Sequence, residues 1–277
     1  MSDQSYLDQA KQAASDAGNK LTNSVKNVNG VNPVKKIFKD FLTGRVCVVT
    51  GGGRGIGKAI AEKYAAEGFT IILTARSRDQ LKETAASCKA KGAPACDTHG
   101  VDLSHMSQVR TFTADVLAKH KSVDVLVNNA GMGARSGAGP IEGDSSEWEM
   151  AVDLNLKAPM LLTQAFAAGM VKNQAGLIIN IGSIAGEAGK AEESVYAATK
   201  WGLRGWSLSN FEALRKDNVK VVLIHPGPVA TSMTKGRFDP ELALEADDVA
   251  EAALLPLRTT ALCVPKQMTL DTAQIVS

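Results

Sequence analysis

Apolar residues along this chain cluster in two distinct ways. Short, nearly continuous runs rich in Val, Ile and Leu fall at residues 46–50, 70–76, 124–131, 177–183 and 219–227. Runs of that length read as strands buried on both faces, as in a parallel sheet covered by helices. Shorter runs at 99–103 and 262–270 predict a third and a seventh strand. In the intervening stretches small and apolar residues recur at helical spacing, clearest at 58–67, 79–91 and from Tyr196 onward. Strand and helix in regular alternation predict an α/β fold built on a doubly wound parallel sheet of six to seven strands. In such sheets ligands bind beyond the carboxyl ends of the strands. The unusual residues sit there: the glycines of 51–57, Arg76, Asp102, the stretch 128–131, Ser183 and Pro226-Gly227.

Residues 1–44 follow another pattern. Leu7, Ala10, Ala14, Ala17, Leu21, Val25 and Val28 give one weak apolar stripe, which Asn29-Gly30 and Asn32-Pro33 interrupt. A basic-apolar stretch, 34–42, follows. The chain therefore divides into a weakly amphipathic extension (1–44) and an α/β domain (45–277). Asp3, Asp8 and Asp16, with no Arg before Arg45, argue against a mitochondrial transit peptide. Lys35, Lys36 and Lys39 beside apolar neighbours leave a membrane-surface or partner contact open.

Composition narrows the classes. Of 277 residues, 44% are apolar and 22% charged, as expected of a soluble protein with a sizeable core. A net charge of +2 without basic-aromatic patterning gives no reason to expect a nucleic-acid partner. No run reaches transmembrane length and no signal-peptide core is evident. The four cysteines, Cys47, Cys88, Cys96 and Cys263, are scattered, which fits a reducing, cytoplasmic setting, with Cys47 a buried thiol of the first strand. His99, His105, His120 and His225 lack metal-ligand spacing, so no metal is expected and they read as surface or loop histidines.

Candidate chemistry begins at Thr50-Gly51-x-x-x-Gly55-x-Gly57, between the first strand and a helix. It departs from the usual G-x-G-x-x-G spacing, yet glycines at a helix N-terminus suit close approach of a pyrophosphate. The second strand ends Ala75-Arg76-Ser77-Arg78 without the carboxylate that would hold a ribose 2′-hydroxyl. Arg76 and Arg54 suit a 2′-phosphate instead, so NADP(H) is the expected cofactor rather than NAD(H). Tyr196-x-x-x-Lys200 places a phenol and an ammonium on one helical face. A nearby ammonium lowers a phenol's pKa and makes it usable as a general acid or base. Ser183, at the tip of the fifth strand, is placed to hold a carbonyl oxygen beside that phenol.

This ordered set resembles the short-chain dehydrogenases/reductases, in their single-domain branch: the glycine motif, Asp102-Leu103, Asn128-Asn129-Ala130-Gly131, Asn155, Ser183, Tyr196-x-x-x-Lys200 and Pro226-Gly227. The match is strong over residues 45–235. The resemblance implies a Rossmann-type domain in which Tyr196 exchanges the proton with the substrate oxygen and Ser183 orients it. It further implies that Lys200 lowers the phenol's pKa and binds the nicotinamide ribose, and that Asn155 holds a water linking Lys200 to solvent. Cofactor contacts are expected from Gly51, Gly53, Arg54, Gly55, Ile56, Gly57, Arg76, Asp102, Leu103, Asn129, Ala130, Gly131, Tyr196, Lys200, Pro226, Gly227, Val229 and Thr231. Asp102 is expected at the adenine, Asn128 with Gly131 beside the adenosine ribose, and Thr231 at the carboxamide. A homodimer or homotetramer is implied as well.

The leading expectation is an NADP(H)-dependent oxidoreductase acting on a small-molecule carbonyl or secondary alcohol. A 3-oxoacyl reductase is the narrower alternative, although the ending Leu270-Asp-Thr-Ala lacks the Asp-Gly-Gly of many such members. A nucleotide-binding structural or sensing subunit recruited through residues 1–44 is the alternative of another class.

Overall fold

The first apolar run becomes an interior strand of the sheet. β1 (Val46–Thr50) is buried at every position and pairs in parallel with β2 (Thr70–Ala75) and β4 (Val125–Asn128). With β3 (Cys96–Gly100), β5 (Gly176–Ile181), β6 (Val219–Pro226) and β7 (Gln267–Leu270), the strands form one seven-stranded sheet. Its order is β3-β2-β1-β4-β5-β6-β7, and every pairing is parallel. The computed structural model describes residues 37–273 except 43, 134–140, 142, 190 and 192.

Seven α-helices among the described residues connect the strands: α1 (Gly55–Ala66), α2 (Arg78–Ala90), α3 (Met106–His120), α4 (Ser145–Val152), α5 (Ala158–Asn173), α6 (Ser194–Leu214) and α7 (Ala246–Arg258). Successive side chains on a strand point to opposite faces, and two apolar layers follow. Cys47, Val49, Ile71 and Ile179 pack with Ile60 and Tyr64 of α1, Leu81 of α2 and Leu254 of α7. Val48, Ile72, Leu126 and Val221 pack on the other face with Phe112 of α3, Phe166 of α5 and Phe211 of α6. The chain leaves β3 at one edge and returns beside β1 as β4, so the winding reverses between β1 and β4. That reversal opens a crevice above their carboxyl ends.

Three strands differ from the sequence reading, the fourth by ending at Asn128 rather than Gly131. The third is Cys96–Gly100, not 99–103, and the seventh is Gln267–Leu270, not the longer 262–270. Both are edge strands with partly exposed residues, so neither carries a full apolar run.

The expectation for the extension mostly falls on residues 1–36, outside the described residues. Its last part packs on the domain: Phe38 is wholly buried and its N–H donates to the Thr259 carbonyl at 2.9 Å. Beneath its ring, 4.1 Å from the centroid, lies the ammonium of buried Lys220. That ammonium donates to the carbonyls of Pro256, Thr260 and Cys263 at 3.0, 3.0 and 2.8 Å. No described helix is long and apolar enough to cross a membrane.

Candidate active site

The crevice is stitched before any ligand is considered. The Thr50 hydroxyl, at the end of β1, donates to the Val127 carbonyl and accepts from the N–H groups of Asn129 and Ala130, both at 2.9 Å. The Asn129 side chain returns a hydrogen bond to the Thr50 carbonyl at 2.8 Å. Gly51 (φ +64°) and Gly55 (φ +53°) then turn the chain through left-handed conformations that residues with a Cβ rarely adopt. At Gly57 the requirement is space, since a Cβ there would stand 2.3 Å from the Gly51 carbonyl oxygen. The turn delivers α1 with Arg54 at its N-cap, and no side chain caps the helix there. Its first N–H groups and positive dipole end are left facing the crevice.

A cavity of about 480 Å³ follows from this packing. Of the expected residues, Gly51, Gly53, Arg54, Gly55, Ile56, Arg76, Asp102, Leu103, Asn129, Ala130, Gly131, Ser183, Tyr196, Lys200, Pro226, Gly227, Val229 and Thr231 line it. Gly57 and Asn155 stand behind the wall. Asn128 does not form the surface expected of it. Its amide donates to Asn180 at 2.8 Å, and Asn180 donates to Ser207 of α6 at 2.8 Å, in a buried ladder behind the cavity.

At the nucleotide end, Arg76 is 66% exposed and its guanidinium lies 4.0 Å from the Asp102 carboxylate. Burial raises the Asp102 pKa, but hydrogen bonds from Ser104 and the charges of Arg76 and His105 outweigh it and hold the carboxyl below its ordinary value. The other Asp102 oxygen accepts from the Ser104 N–H and hydroxyl at 3.0 and 2.7 Å.

At the chemical end, α6 carries Tyr196 and Lys200 one turn apart, with the ammonium 5.6 Å from the ring centroid. Lys200 Nζ is buried and donates to the Ile181 carbonyl at 2.8 Å. Burial lowers its pKa from the ordinary value to about 8. The Tyr196 phenol shares a hydrogen bond with the Ser183 side chain. Its pKa is raised, chiefly by burial, with Glu193 adding while Ser183 and Arg237 oppose. The expectation of a phenol lowered by Lys200 is thus corrected: burial outweighs every charge around the ring.

Asn155 lies in a π-helical turn, Asp153–Lys157, between α4 and α5. Such turns frequently mark functional sites. Its amide is fully engaged, accepting from the Met132 N–H at 2.9 Å and donating to the Met132 carbonyl and the Thr199 hydroxyl at 2.9 and 3.1 Å. A Cβ on Gly131 would lie 3.2 Å from Asn155 Oδ1 and 3.8 Å from Lys200 Nζ, so these two groups flank its α-carbon.

The sequence profile described as short chain dehydrogenase matches residues 45–242. The chain belongs to that family. Among family relatives, a sepiapterin reductase of Chlorobaculum tepidum is 32% identical over 228 residues, 77% of this chain and 92% of the relative. A 3-oxoacyl-(acyl-carrier-protein) reductase of Aquifex aeolicus is 35% identical over 196 residues, 70% of this chain and 77% of the relative. A crystal structure of a metagenomic short-chain oxidoreductase in complex with NADP shares 38% identity and superposes with a TM-score of 0.73. The overlap spans 84% of this chain and 100% of that one. Levodione reductase superposes at 0.76 with 25% identity, over 83% of this chain and 97% of its own. The chain is therefore an oxidoreductase of this family, with its parallel-sheet architecture.

Several members of the site left no trace in the sequence reading. Thr199 and the Asn180–Ser207 ladder act through pairings between residues far apart in the chain. Glu193 and Arg237 approach to 3.5 Å across the substrate end. His225 is not a surface or loop residue: it is wholly buried at the end of β6. Among the described residues no group of three or more His, Cys, Asp or Glu could hold a metal ion.

Proposed function

We propose that the protein is an NADP(H)-dependent reductase that converts a carbonyl to a secondary alcohol, with Tyr196 as the proton donor. The observation that carries this reading is the meeting of Tyr196, Ser183 and Lys200 in the same cavity as the glycine turn and Arg76. The turn fits a dinucleotide: a Cβ at Gly53 would stand 3.0 Å from Gln80, and α1 presents an uncapped N-terminus to a pyrophosphate. Arg54 and Arg76, both exposed at the cavity rim, would hold a 2′-phosphate, and Asp102 would meet the adenosine. When bound, a reduced nicotinamide supplies hydride to the carbonyl carbon.

The chain's own residues supply the proton and the geometry. A phenol whose pKa burial has raised is protonated at neutral pH, which suits it to donate rather than to abstract. Ser183 holds the substrate oxygen beside the phenol, where negative charge develops as hydride arrives. With a pKa of about 8, Lys200 is mostly cationic at pH 7 yet close enough to its titration to pass a proton on. Asn155 ties Thr199, on the helix that carries Lys200, to the Met132 backbone, keeping the Lys200 side of the cavity rigid.

The Aquifex aeolicus relative favours a second reading, 3-oxoacyl thioester reduction, which uses the same four residues. One experiment addresses both. NADPH oxidation is followed over a panel of ketones, aldehydes, quinones and 3-oxoacyl thioesters, with Tyr196→Phe alongside. Loss of a positioned general acid lowers kcat by about 10²–10⁴-fold. Turnover that survives Tyr196→Phe refutes the assignment. Turnover confined to the thioesters selects the second reading.

A further inference from the structure

Ser183 is expected to orient the substrate oxygen, so whatever holds Ser183 sets the precision of the reaction. Its carbonyl accepts two hydrogen bonds: from the Gly186 N–H at 2.8 Å and from His225 Nδ1 at 2.7 Å. A carbonyl has no proton to give, so the proton of that contact belongs to the imidazole, and His225 is the Nδ1–H tautomer. Its Nε2 is then a bare lone pair, buried, with no hydrogen-bond partner. The ring is wedged between two glycines: a Cβ at Gly182 would stand 2.8 Å from Nδ1, and one at Gly186 3.3 Å from Cε1. The Gly182 N–H donates to the Ile224 carbonyl at 2.6 Å, closing β5 onto β6 directly above the ring. The 3-10 turn Ile184–Gly186 that begins at Ser183 is therefore fastened from below by one side chain.

We propose that His225 is a positioning residue for Ser183: its Nδ1–H clamps the Ser183 carbonyl and so fixes the serine hydroxyl against Tyr196. This rests on the proposed roles of Ser183 and Tyr196. Protonating the ring places a charge at Nε2, where nothing accepts its proton. The charged groups that act on it come from the residue after the 3-10 turn and from α6. Glu187 follows the 3-10 turn and favours the charged ring, while Arg204 and Lys200 of α6 oppose it. From β7, Gln267 and Thr269 donate to Glu187 Oε1 at 3.2 and 2.9 Å and draw that carboxylate into their own contacts. Burial, the largest influence, keeps the His225 pKa below its ordinary value. The Ser183 carbonyl favours the charged ring but does not offset burial, so the clamp is neutral at physiological pH, and Nδ1–H is kept in either protonation state.

The test compares wild type, His225→Leu and His225→Asn, with Tyr196→Phe as the control for the reaction itself. Leu keeps the bulk and removes the donor; Asn restores an N–H at the Nδ1 position and cannot titrate. Small misplacements of catalytic groups cost about tenfold to a hundredfold, so kcat in His225→Leu is expected to fall by that factor. The NADPH dissociation constant, from fluorescence quenching, is expected to stay near that of wild type. His225→Asn is expected to recover most of the lost kcat. Imidazole ¹⁵N spectra of the wild type read the tautomer without reference to activity, and the Nδ1–H form is expected. Unchanged kcat in His225→Leu, a loss in His225→Asn as deep as in the leucine variant, or an Nε2–H tautomer overturns the proposal. If Tyr196→Phe retains turnover, it is the reaction assignment that falls, and the tautomer still decides the clamp. If His225→Leu does not fold, the kcat of the asparagine variant and the spectra decide.

Discussion

Replacing Gly57 by Ala sets two effects of opposite sign against each other. Gly57 is the third residue of α1, and within a helix Gly→Ala is favourable by up to about 1 kcal/mol. The added Cβ, however, stands 2.3 Å from the Gly51 carbonyl oxygen and 2.5 Å from Asn129 Nδ2. Both neighbours are held. Gly51 is fixed in a left-handed turn, and the Asn129 amide is bonded to the Thr50 carbonyl. Relief therefore comes by moving α1 away from the turn by about 0.7–1 Å, the gap between that contact and a tolerable one. Overpacking of this kind costs about 1–3 kcal/mol, so net stability changes by between zero and about −2 kcal/mol. For a chain of this size that is a fall in Tm of between zero and about 8 °C, at about 2–4 °C per kcal/mol. The cofactor site is hit harder, because the same shift separates the α1 N–H groups from the glycine turn. NADPH affinity is expected to weaken by at least about tenfold, equivalent to about 1.4 kcal/mol. Fluorescence titration and a thermal melt on the same sample separate the two effects. A variant with raised Tm and unchanged NADPH affinity would show that the carbonyl yields freely, and the account of the turn would be wrong.

Other consequences can be checked in parallel. Arg76→Ala removes a charge-assisted partner worth about 1.5–3 kcal/mol and is expected to weaken NADPH about tenfold or more while leaving NADH nearly unchanged; an unaltered NADPH-to-NADH ratio removes Arg76 from cofactor selection. If Lys200 must be protonated for reduction, kcat/KM falls as pH rises through about 8, whereas Lys200→Arg, ionised throughout, lacks that limb whatever its residual rate. The same lowered pKa bears on stability. Between pH about 8 and the ordinary lysine value the unfolded chain binds the extra proton, so stability rises with pH there and is lost as pH falls through about 8; urea melts of wild type and Lys200→Met across this window should converge toward high pH. Phe38→Ala empties a wholly buried site and strips one face from the Lys220 ammonium. It should cost about 3–5 kcal/mol, seen as an earlier urea midpoint; a loss below 1 kcal/mol would mean that residues 37–42 rest on the domain without holding it.

What could be read from the chain was whatever depends on local order. Val46-Cys-Val-Val-Thr50 has no polar face, so it could only be an inner strand, and it is. Tyr196 and Lys200 are four apart on one helix, so their meeting needed no tertiary knowledge. The glycine turn and the Arg76 position follow from strand ends, and the doubly wound sheet follows from the alternation of strands and helices. The edge strands were misplaced because half-exposed strands such as Cys96–Gly100 need no apolar run.

The tertiary structure decided what depends on pairing between distant segments. Asn128 and Asn129 are adjacent and chemically identical, yet strand alternation turns the first toward Asn180 and the second onto the Thr50 carbonyl. Spacing suggested that Lys200 lowers the Tyr196 pKa, but burial is a property of the assembled site, and it raises that pKa instead. His225 looked like any other histidine until the β5–β6 pairing set its ring under Ser183. Periodicity and helical offsets are written in the order of the residues. The dielectric around a charge and the partner of a buried nitrogen exist only once strands some forty residues apart lie side by side, as Ser183 and His225 do here.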